Sequence, residues 1–218
     1  METGVTTLVV ARYNESLHWL ASIDDVVDEV AVYCKSDVPL DVPPGLAARV
    51  RVAPLPNVGR ESHTYLHHIV SSYDAIVGDP EGITLFYQGD PGNEVVAYTR
   101  DGMRDARSVG VNVCHAAQHG NNDWWGAVPS FRNPVYRNCD QRLNAHDEPF
   151  GAWFERHLGR PLPSPSPWII AANVVVRNDR IASHPREFYR ALLALVDDHD
   201  SPEDGHFFER TWMHVFAA

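Results

Sequence analysis

Residues 6–15 read TTLVVARYNE. The apolar, mostly β-branched run over Thr6–Val10 predicts a strand buried on both faces, which is typical of the centre of a parallel sheet. The polar segment RYNE, residues 12–15, follows directly. We therefore expect an α/β fold in which these polar side chains lie at the carboxyl end of a central strand.

The sequence after residue 15 alternates between helical spacing and short apolar runs. The predicted elements are a helix over Ser16–Val26, strands over Val27–Tyr33 and Val50–Ala53, a helix over Arg60–Tyr73 and a strand over Ile83–Tyr87. This order predicts a mostly parallel central sheet flanked by helices, with ligands bound outside the carboxyl ends of its strands.

The second half of the chain is less regular. Residues 112–150 have few periodic segments and predict loops that cover the edge of the sheet, and the proline-rich residues 161–167 predict a stiff, extended connector. A strand over Trp168–Arg177 and helices over Arg186–Asp197 and Gly205–Phe216 are predicted beyond it. No internal repeat is visible.

Composition excludes several classes of protein. The chain has 218 residues, 18 basic and 29 acidic, for a net charge of −11, which fits a single domain. Lys35 is the one lysine, and it has no glycines around it, so a phosphate-binding loop of the GxxxxGK[ST] type is excluded. A Schiff-base enzyme would have to use the same residue. An acidic chain without a basic run also argues against nucleic acid as a partner.

Three widely spaced cysteines, Cys34, Cys114 and Cys139, form no CxxC pair and predict reduced, mostly buried thiols, although a single nucleophilic cysteine stays open. The first residues lack the pattern of a secretion signal, and no apolar run approaches the ~20 residues that span a bilayer. We expect a soluble, cytoplasmic protein without a transmembrane segment.

Four polar clusters flank the predicted strands. They are residues 12–15 (RYNE), 57–63 (NVGRESH), 88–91 (QGDP) and 206–212 (HFFERTW). Because loops after successive strands converge on one edge of an open α/β sheet, these clusters are candidates for one site.

Each cluster also has a purely structural interpretation. Asn14 or Ser16 is a possible helix cap, and Glu61 suits the first turn of a helix through its dipole. Residues 57–59 and 88–91 are possible turns. Glu209 and Arg210 are a possible structural ion pair.

The 12 histidines raise a metal hypothesis. His63 and His67 are spaced by one helical turn, as are His115 and His119, but a zinc site needs a third ligand and the glutamate of an HExxH motif is missing. We favour a solvated or hydrogen-bonded helix face. Arg60, His63 and His67 also form a stripe along the predicted helix that would suit an anionic ligand at the start of the helix.

Residues 55–69, LPNVGRESHTYLHHI, resemble the signature of an uncharacterised family, domain of unknown function 3431. Four further segments fit the layout of that family: VVARYNESLHWL (9–20), ITLFYQGDP (83–91), RIASHPREFY (180–189) and ERTWMHVF (209–216). The resemblance spans nearly the whole chain and implies no established activity.

The order of VVARYNE (9–15), NVGRE (57–61) and ITLFYQGD (83–90) is similar to that of glycosyltransferases of the GT-A fold. The resemblance implies a GT-A-like, Rossmann-like sheet in one domain, with a nucleotide-binding-like half over residues 1–110 and an acceptor-side half over 111–218. It implies that Asn14 and Glu15 lie near the nucleotide. It also implies that Asp90 replaces the metal-binding aspartates and that Glu209 is the catalytic base.

The metal motif departs from that family, which has Asp-x-Asp where this chain has Gln88, Gly89 and Asp90. Mn²⁺ or Mg²⁺ bridging two phosphates keeps several waters, so one carboxylate helped by His206 or Asp79 is one arrangement. In the other, no metal binds and arginines such as Arg60 neutralise the phosphates.

The candidate site thus has three groups of residues. The catalytic candidates are His63, Asp90 and Glu209, and the metal candidates are Asp90 and His206. The candidates for nucleotide or substrate binding are Arg12, Tyr13, Asn14, Glu15, Asn57, Gly59, Arg60, Glu61, Gln88, Arg210 and Trp212. We expect Arg12, Arg60 and Arg210 to cluster, because an acidic protein needs local positive charge to hold a diphosphate.

Three functions remain open. The first is transfer of a sugar from a nucleotide-sugar to a small-molecule or glycan acceptor, with Trp124 and Trp125 as sugar-stacking, core or lid residues. The second is a metal-dependent hydrolase built on the histidines. The third is a non-catalytic binding module derived from the transferase fold.

Overall fold

The centre of the structure, a computed structural model, is a parallel sheet built around the strand that begins at Thr6. The described residues are 4–113, 116–119, 148–164, 166–169 and 172–217. Their strands are β1 (Thr6–Arg12), β2 (Glu29–Cys34), β3 (Val50–Pro54), β4 (Ile83–Gln88), β5 (Ala116–His119), β6 (Ser166–Ile169) and β7 (Val174–Arg177).

The main sheet has the order β3-β2-β1-β4-β7. Strands β1 to β4 are parallel, and β7 runs antiparallel to β4. Val9, in the middle of β1, is paired with Ala31 of β2 on one side and with Phe86 of β4 on the other. The chain therefore leaves β1 toward β2 and β3 and returns across it to β4, so the order of strands reverses between β1 and β4.

The described helices, like the strands, are numbered in the order of the sequence. They are α1 (Arg60–Gly78), α2 (Asn93–Ala97), α3 (Thr99–Val109), α4 (Phe150–Leu158), α5 (Asn178–Ile181), α6 (Arg186–Leu193) and α7 (Glu203–Val215), with 3₁₀ turns at His18–Ser22 and Pro44–Leu46. None of these described helices combines the length and the apolar character needed to cross a membrane.

Apolar side chains cover the sheet on both faces. Val9 and Phe86 point into a core that α1, α6 and α7 share, whereas Leu8, Val10 and Leu85 point into a second core on the opposite face. Alternate residues of one strand thus fill different cores, which explains why the strands read as continuous apolar runs. The prediction of an α/β protein with a mostly parallel sheet flanked by helices is confirmed.

The predicted helix over Ser16–Val26 is wrong. This segment contains only the 3₁₀ turn His18–Ser22, and its backbone N–H groups at Leu20, Ile23 and Val26 each bond to the carbonyl three residues earlier. Leu17, Leu20 and Ile23 are nevertheless buried. A chain of tight turns places the same apolar residues inward as a helix would, so the spacing alone did not separate the two.

The predicted strand over Trp168–Arg177 is two strands. Its first part belongs to β6, which pairs with β5 in a separate two-stranded sheet, and its second part is β7. Ala172 lies between them with φ 55°, a conformation that ends regular pairing. Pro167, assigned to the connector, is part of β6, and the predicted helix over Arg186–Asp197 ends at Leu193.

Candidate functional site

A cleft of about 550 Å³ opens at the carboxyl ends of the parallel strands. Its walls come from the segments after β1, β2 and β4, from the turn that begins α1, and from residues 200–201 before α7. Eight residues that the sequence singled out line it: Arg12, Tyr13, Glu15, Asn57, Arg60, Glu61, Gln88 and Asp90. The cleft lies where the strand order reverses, which is where open α/β sheets bind ligands, and its volume suits a small molecule.

The turn that begins α1 places two of these side chains. Gly59 has φ 60° and Arg60 has φ 50°, so two successive residues are left-handed. The Gly59 N–H donates to the carbonyl of His199 at 2.7 Å. A Cβ atom at Gly59 would lie 2.0 Å from the carbonyl oxygen of Val196. Only glycine fits this position, and the turn directs Arg60 and Glu61 to the cleft.

Among the cationic side chains that line the cleft, Arg60 has the longest contacts to its partners. Its Nη1 lies 3.4 Å from Nε2 of His206, and its Nε lies 3.8 Å from Oε2 of Glu61. The side chain is 32% exposed. A guanidinium group in this setting retains donors for an anionic ligand.

Arg12 also lines the cleft, but its donors are engaged with the protein. It is 2% exposed. Its Nε donates to the Glu15 carbonyl at 2.8 Å, and its Nη atoms donate to the carbonyls of Val38 at 2.9 Å and Pro39 at 3.0 Å. Arg12 therefore holds the loop after β2 in place. Arg12 and Arg60 share the cleft, whereas Arg210 lies outside its lining and donates to the His206 carbonyl at 2.7 Å.

Sequence reasoning missed Lys35 as a site residue. It follows β2 directly, lines the cleft and is buried, and its Nζ donates to the carbonyls of Val58 and Arg60. Burial lowers the pKa of Lys35 to about 8, although the charge of Glu61 opposes this shift. Lys35 therefore braces the left-handed turn. Its position two residues after the predicted strand Val27–Tyr33 was the available signal.

Two carboxylates flank Gly89 on one wall. Glu15 Oε2 accepts the backbone N–H groups of Tyr13 at 2.7 Å and Asn14 at 3.1 Å, and Asp90 Oδ1 accepts that of Gly92 at 3.2 Å. A Cβ atom at Gly89 would lie 2.4 Å from Glu15 Oε2, so the missing side chain allows this approach. Both carboxylates line the cleft, whereas Asn14 is exposed and lies outside its lining.

A second acidic pair lies where α1 meets α7. Glu61 is 7% exposed, and its Oε1 has no hydrogen-bond partner among the described residues. Glu209 Oε1 lies 3.5 Å from Nδ1 of His206, and its Oε2 lies 3.3 Å from Nη1 of Arg210. Glu209 thus has two partners that favour its charged form, and Glu61 has a weaker one.

The surroundings shift the pKa values of Glu61 and Glu209 in opposite directions. Burial and the charge of Glu209 raise the pKa of Glu61. Burial also acts to raise the pKa of Glu209, but the hydrogen bond from His206 and the charge of Arg210 outweigh it and lower that pKa. Within this pair the surroundings therefore favour the ionised form of Glu209 and the protonated form of Glu61.

Two predicted site residues are packed inside the protein. Trp212 is fully buried against Tyr65 and Phe208, with ring centroids 5.9 Å and 5.2 Å away. The sequence predicts Trp212 as a substrate contact, and the structure places its indole in the core and outside the cleft lining. His63 is also buried, stacks on His67 at 6.1 Å and lies outside the cleft lining.

The suggested metal helpers of Asp90 lie elsewhere. Asp79 precedes β4, at the opposite end of the strand from Asp90, where its Oδ2 accepts the backbone N–H of Val5 at 2.8 Å. His206 has Arg60 and Glu209 at its two ring nitrogens. Among the described residues, no three histidine, cysteine, aspartate or glutamate side chains gather to hold a metal ion. His115, Trp124 and Trp125 lie outside the described residues.

Glu15 and Asp90 suit a hard cation that a ligand helps to bind. Mg²⁺ and Mn²⁺ favour oxygen donors, and nucleotide-bound Mg²⁺ takes one or two protein carboxylates, substrate phosphates and waters. The pair next to Gly89 offers two carboxylates on one wall of the cleft.

Compared with models of known protein families and with curated proteins, the chain matches none. The resemblances to domain of unknown function 3431 and to GT-A glycosyltransferases therefore stay predictions. The fold and the site define an α/β protein with a polar, small-molecule-sized cleft at the point where its strand order reverses.

Proposed function

We propose that the protein transfers a sugar from a nucleotide-sugar to a hydroxyl acceptor and binds the nucleotide diphosphate in this cleft. One observation carries the proposal. The residues that follow β1 and β4 and those that begin α1 line a single cleft, and they include Arg60, Glu15 and Asp90. Separate segments of the sequence thus supply a cation and a carboxylate pair to one ligand site.

The proposed chemistry needs negative charge to be stabilised on the leaving diphosphate. Arg60 supplies a guanidinium at the start of α1, where the helix dipole also favours an anion. Glu15 and Asp90 would hold Mn²⁺ or Mg²⁺, which supplies further positive charge to the diphosphate when bound. Tyr13, which is exposed and lines the cleft, offers a ring for the nucleoside base.

The acceptor hydroxyl must lose a proton when its oxygen bonds to the sugar. Glu209 is the proposed base because His206 and Arg210 favour its ionised form. It is outside the cleft lining, and the contacts lead from Arg60 through His206 to Glu209. The proposal therefore requires the acceptor to bind beside the contact between Arg60 and His206.

Calorimetric titration with UDP, GDP, CDP, ADP and dTDP in the presence of Mn²⁺ tests the proposal. We expect at least one of them to bind. Arg60→Ala should weaken that binding by about 10- to 100-fold, because a hydrogen bond to a charged group is worth about 1.5–3 kcal/mol.

Arg104→Ala is the matched control, since Arg104 is an exposed arginine of α3 paired with Asp101 at 2.7 Å. It should leave the affinity unchanged. Absence of binding by all five nucleotides would overturn the proposal, as would equal losses in the two arginine variants.

A further inference from the structure

Glu61 is an unusual carboxyl group because it lines the cleft and yet lacks the hydrogen bonds that a buried anion normally has. Its side chain is more than nine-tenths buried, and Oε1 is without a hydrogen-bond partner among the described residues. Its Oε2 has Arg60 Nε at 3.8 Å, which is too long for a hydrogen bond. A buried carboxylate normally has both oxygens hydrogen-bonded, so this environment fits a neutral carboxyl group better.

The charged and titratable groups around Glu61 come from three elements. Arg60 and Tyr65 are on α1, His206 and Glu209 are on α7, and Lys35 follows β2. Two partners, His206 and Arg210, favour the charged form of Glu209. A second negative charge beside it would be repelled, whereas Arg60 and Lys35 act in the opposite direction and are partly occupied by other contacts.

We propose that Glu61 keeps its proton in the occupied cleft and donates that hydrogen to an oxygen of the bound diphosphate. The inference rests on the proposed function, because it names how the same site recognises its anion. A neutral carboxyl group is a hydrogen-bond donor, whereas an ionised one only accepts and would repel a phosphate. The site thereby gains a donor where the sequence places an acidic residue.

The arrangement explains how a chain with a net charge of −11 can hold a diphosphate. Arg12 and Lys35 donate hydrogen bonds to backbone carbonyls. Few donors on cationic side chains are therefore left for a ligand. The hydrogen of Glu61 adds to those of Arg60, the residue that precedes it in the chain. The two adjacent side chains at the start of α1 then bind one anion together.

The test compares the wild type, Glu61→Gln, Glu61→Ala and Glu94→Gln as a control, because Glu94 is exposed on α2. The probe is the nucleoside diphosphate that binds the wild type tightest in the panel. Each protein is titrated calorimetrically between about pH 5.5 and 8.5, and its folding is checked by thermal melting. The ligand titrates as well, so the readout is the ratio of two proteins' affinities at each pH, from which ligand titration cancels.

We expect Glu61→Ala to bind at least about tenfold more weakly than the wild type at pH 6, a change of about 1.4 kcal/mol. Glu61→Gln, whose amide is a permanent donor, should bind within about threefold of the wild type there. The wild-type affinity relative to Glu61→Gln should stay level or fall as the pH rises, because ionised Glu61 loses its hydrogen. Glu94→Gln should follow the wild type throughout.

Three results would overturn the inference. The first is a wild-type affinity that rises with pH relative to Glu61→Gln, which would make the ionised carboxylate the binding form. The second is equal weakness of the Gln and Ala variants at pH 6, and the third is full affinity in Glu61→Ala. Failure of the wild type to bind any nucleotide overturns the proposed function instead, so the two failures are distinguishable.

Discussion

Three buried histidines predict that the protein loses stability in acid. Burial is the main cause that lowers the pKa of His63, His68 and His214 to about 4, from an ordinary value of 6.5. Between those two values the unfolded chain binds more protons than the folded one, so the free energy of unfolding rises with pH through this window. This contribution is fully present above about pH 6.5 and is lost as the pH falls toward 4.

His68 gives a single-residue test of this behaviour. It is buried, and its Nδ1 lies 3.1 Å from the hydroxyl of Tyr33. His68→Gln should reduce the slope of unfolding free energy against pH by about 1.4 kcal/mol per pH unit near pH 5, which is the effect of one proton. Urea unfolding at several pH values between 4.5 and 7.5 measures the slope.

The control for this substitution is His18→Gln, since the His18 side chain is 73% exposed. Its slope should match that of the wild type. An unchanged slope in His68→Gln, with both proteins unfolding in two states, would contradict the account of buried neutral histidines.

At the scale of the elements, strands were predicted better than helices. The apolar runs that became β1, β2 and β4 are buried on both faces, and such runs are visible in sequence. Helix α3 was not predicted, because its surface is mostly polar and only Thr99, Gly102, Met103 and Ala106 are buried. The predicted strand over Trp168–Arg177 is interrupted at Ala172, which has a positive φ. Tertiary structure imposes this conformation, and an alanine in a sequence does not indicate it.

The left-handed turn at the start of α1 can be tested by substitution of Gly59. Gly59→Ala should lower the free energy of unfolding by about 2–4 kcal/mol, because φ is 60° and the new Cβ would meet the Val196 carbonyl. Gly78→Ala, at the end of the same helix with open space around it, should be neutral or stabilising by up to about 1 kcal/mol.

Urea unfolding of both glycine variants measures the difference. Because the turn directs Arg60 and Glu61 to the cleft, Gly59→Ala should also weaken nucleotide binding, and Gly78→Ala should not. Equal stability of the two variants would show that the turn tolerates a side chain.

At the scale of the whole molecule, topology explains which site residues could be predicted. Polar residues that follow β1 and β4, or that begin α1, were identified because carboxyl ends of parallel strands meet at one edge. Lys35, Asp200 and Ser201 also line the cleft. The last two precede α7, and no local pattern indicates that this segment returns to the sheet edge. Trp212 belongs to the same predicted cluster as Glu209, but its side chain lies in the core, and a cluster of polar residues in the sequence does not show which way each side chain points.

The charge distribution was partly predicted as well. Arg12 and Arg60 do share the cleft, but Arg12 donates to the loop after β2, and Arg210 contacts Glu209 and the His206 carbonyl. The sequence indicates which residues are charged but not which donors a ligand will find free. The proposed recognition of a diphosphate would therefore depend mainly on Arg60, the two carboxylates beside Gly89 and a protonated Glu61.

The proposed nucleotide site is best tested by a crystal structure of the protein with Mn²⁺ and the nucleoside diphosphate that binds it tightest. We expect the diphosphate between the carboxyl ends of β1 and β4, with phosphate oxygens within hydrogen-bond distance of the Arg60 guanidinium. We expect Mn²⁺ on the wall formed by Glu15 and Asp90. A nucleotide bound away from this cleft, or in the cleft without contact to Arg60, would contradict the proposal.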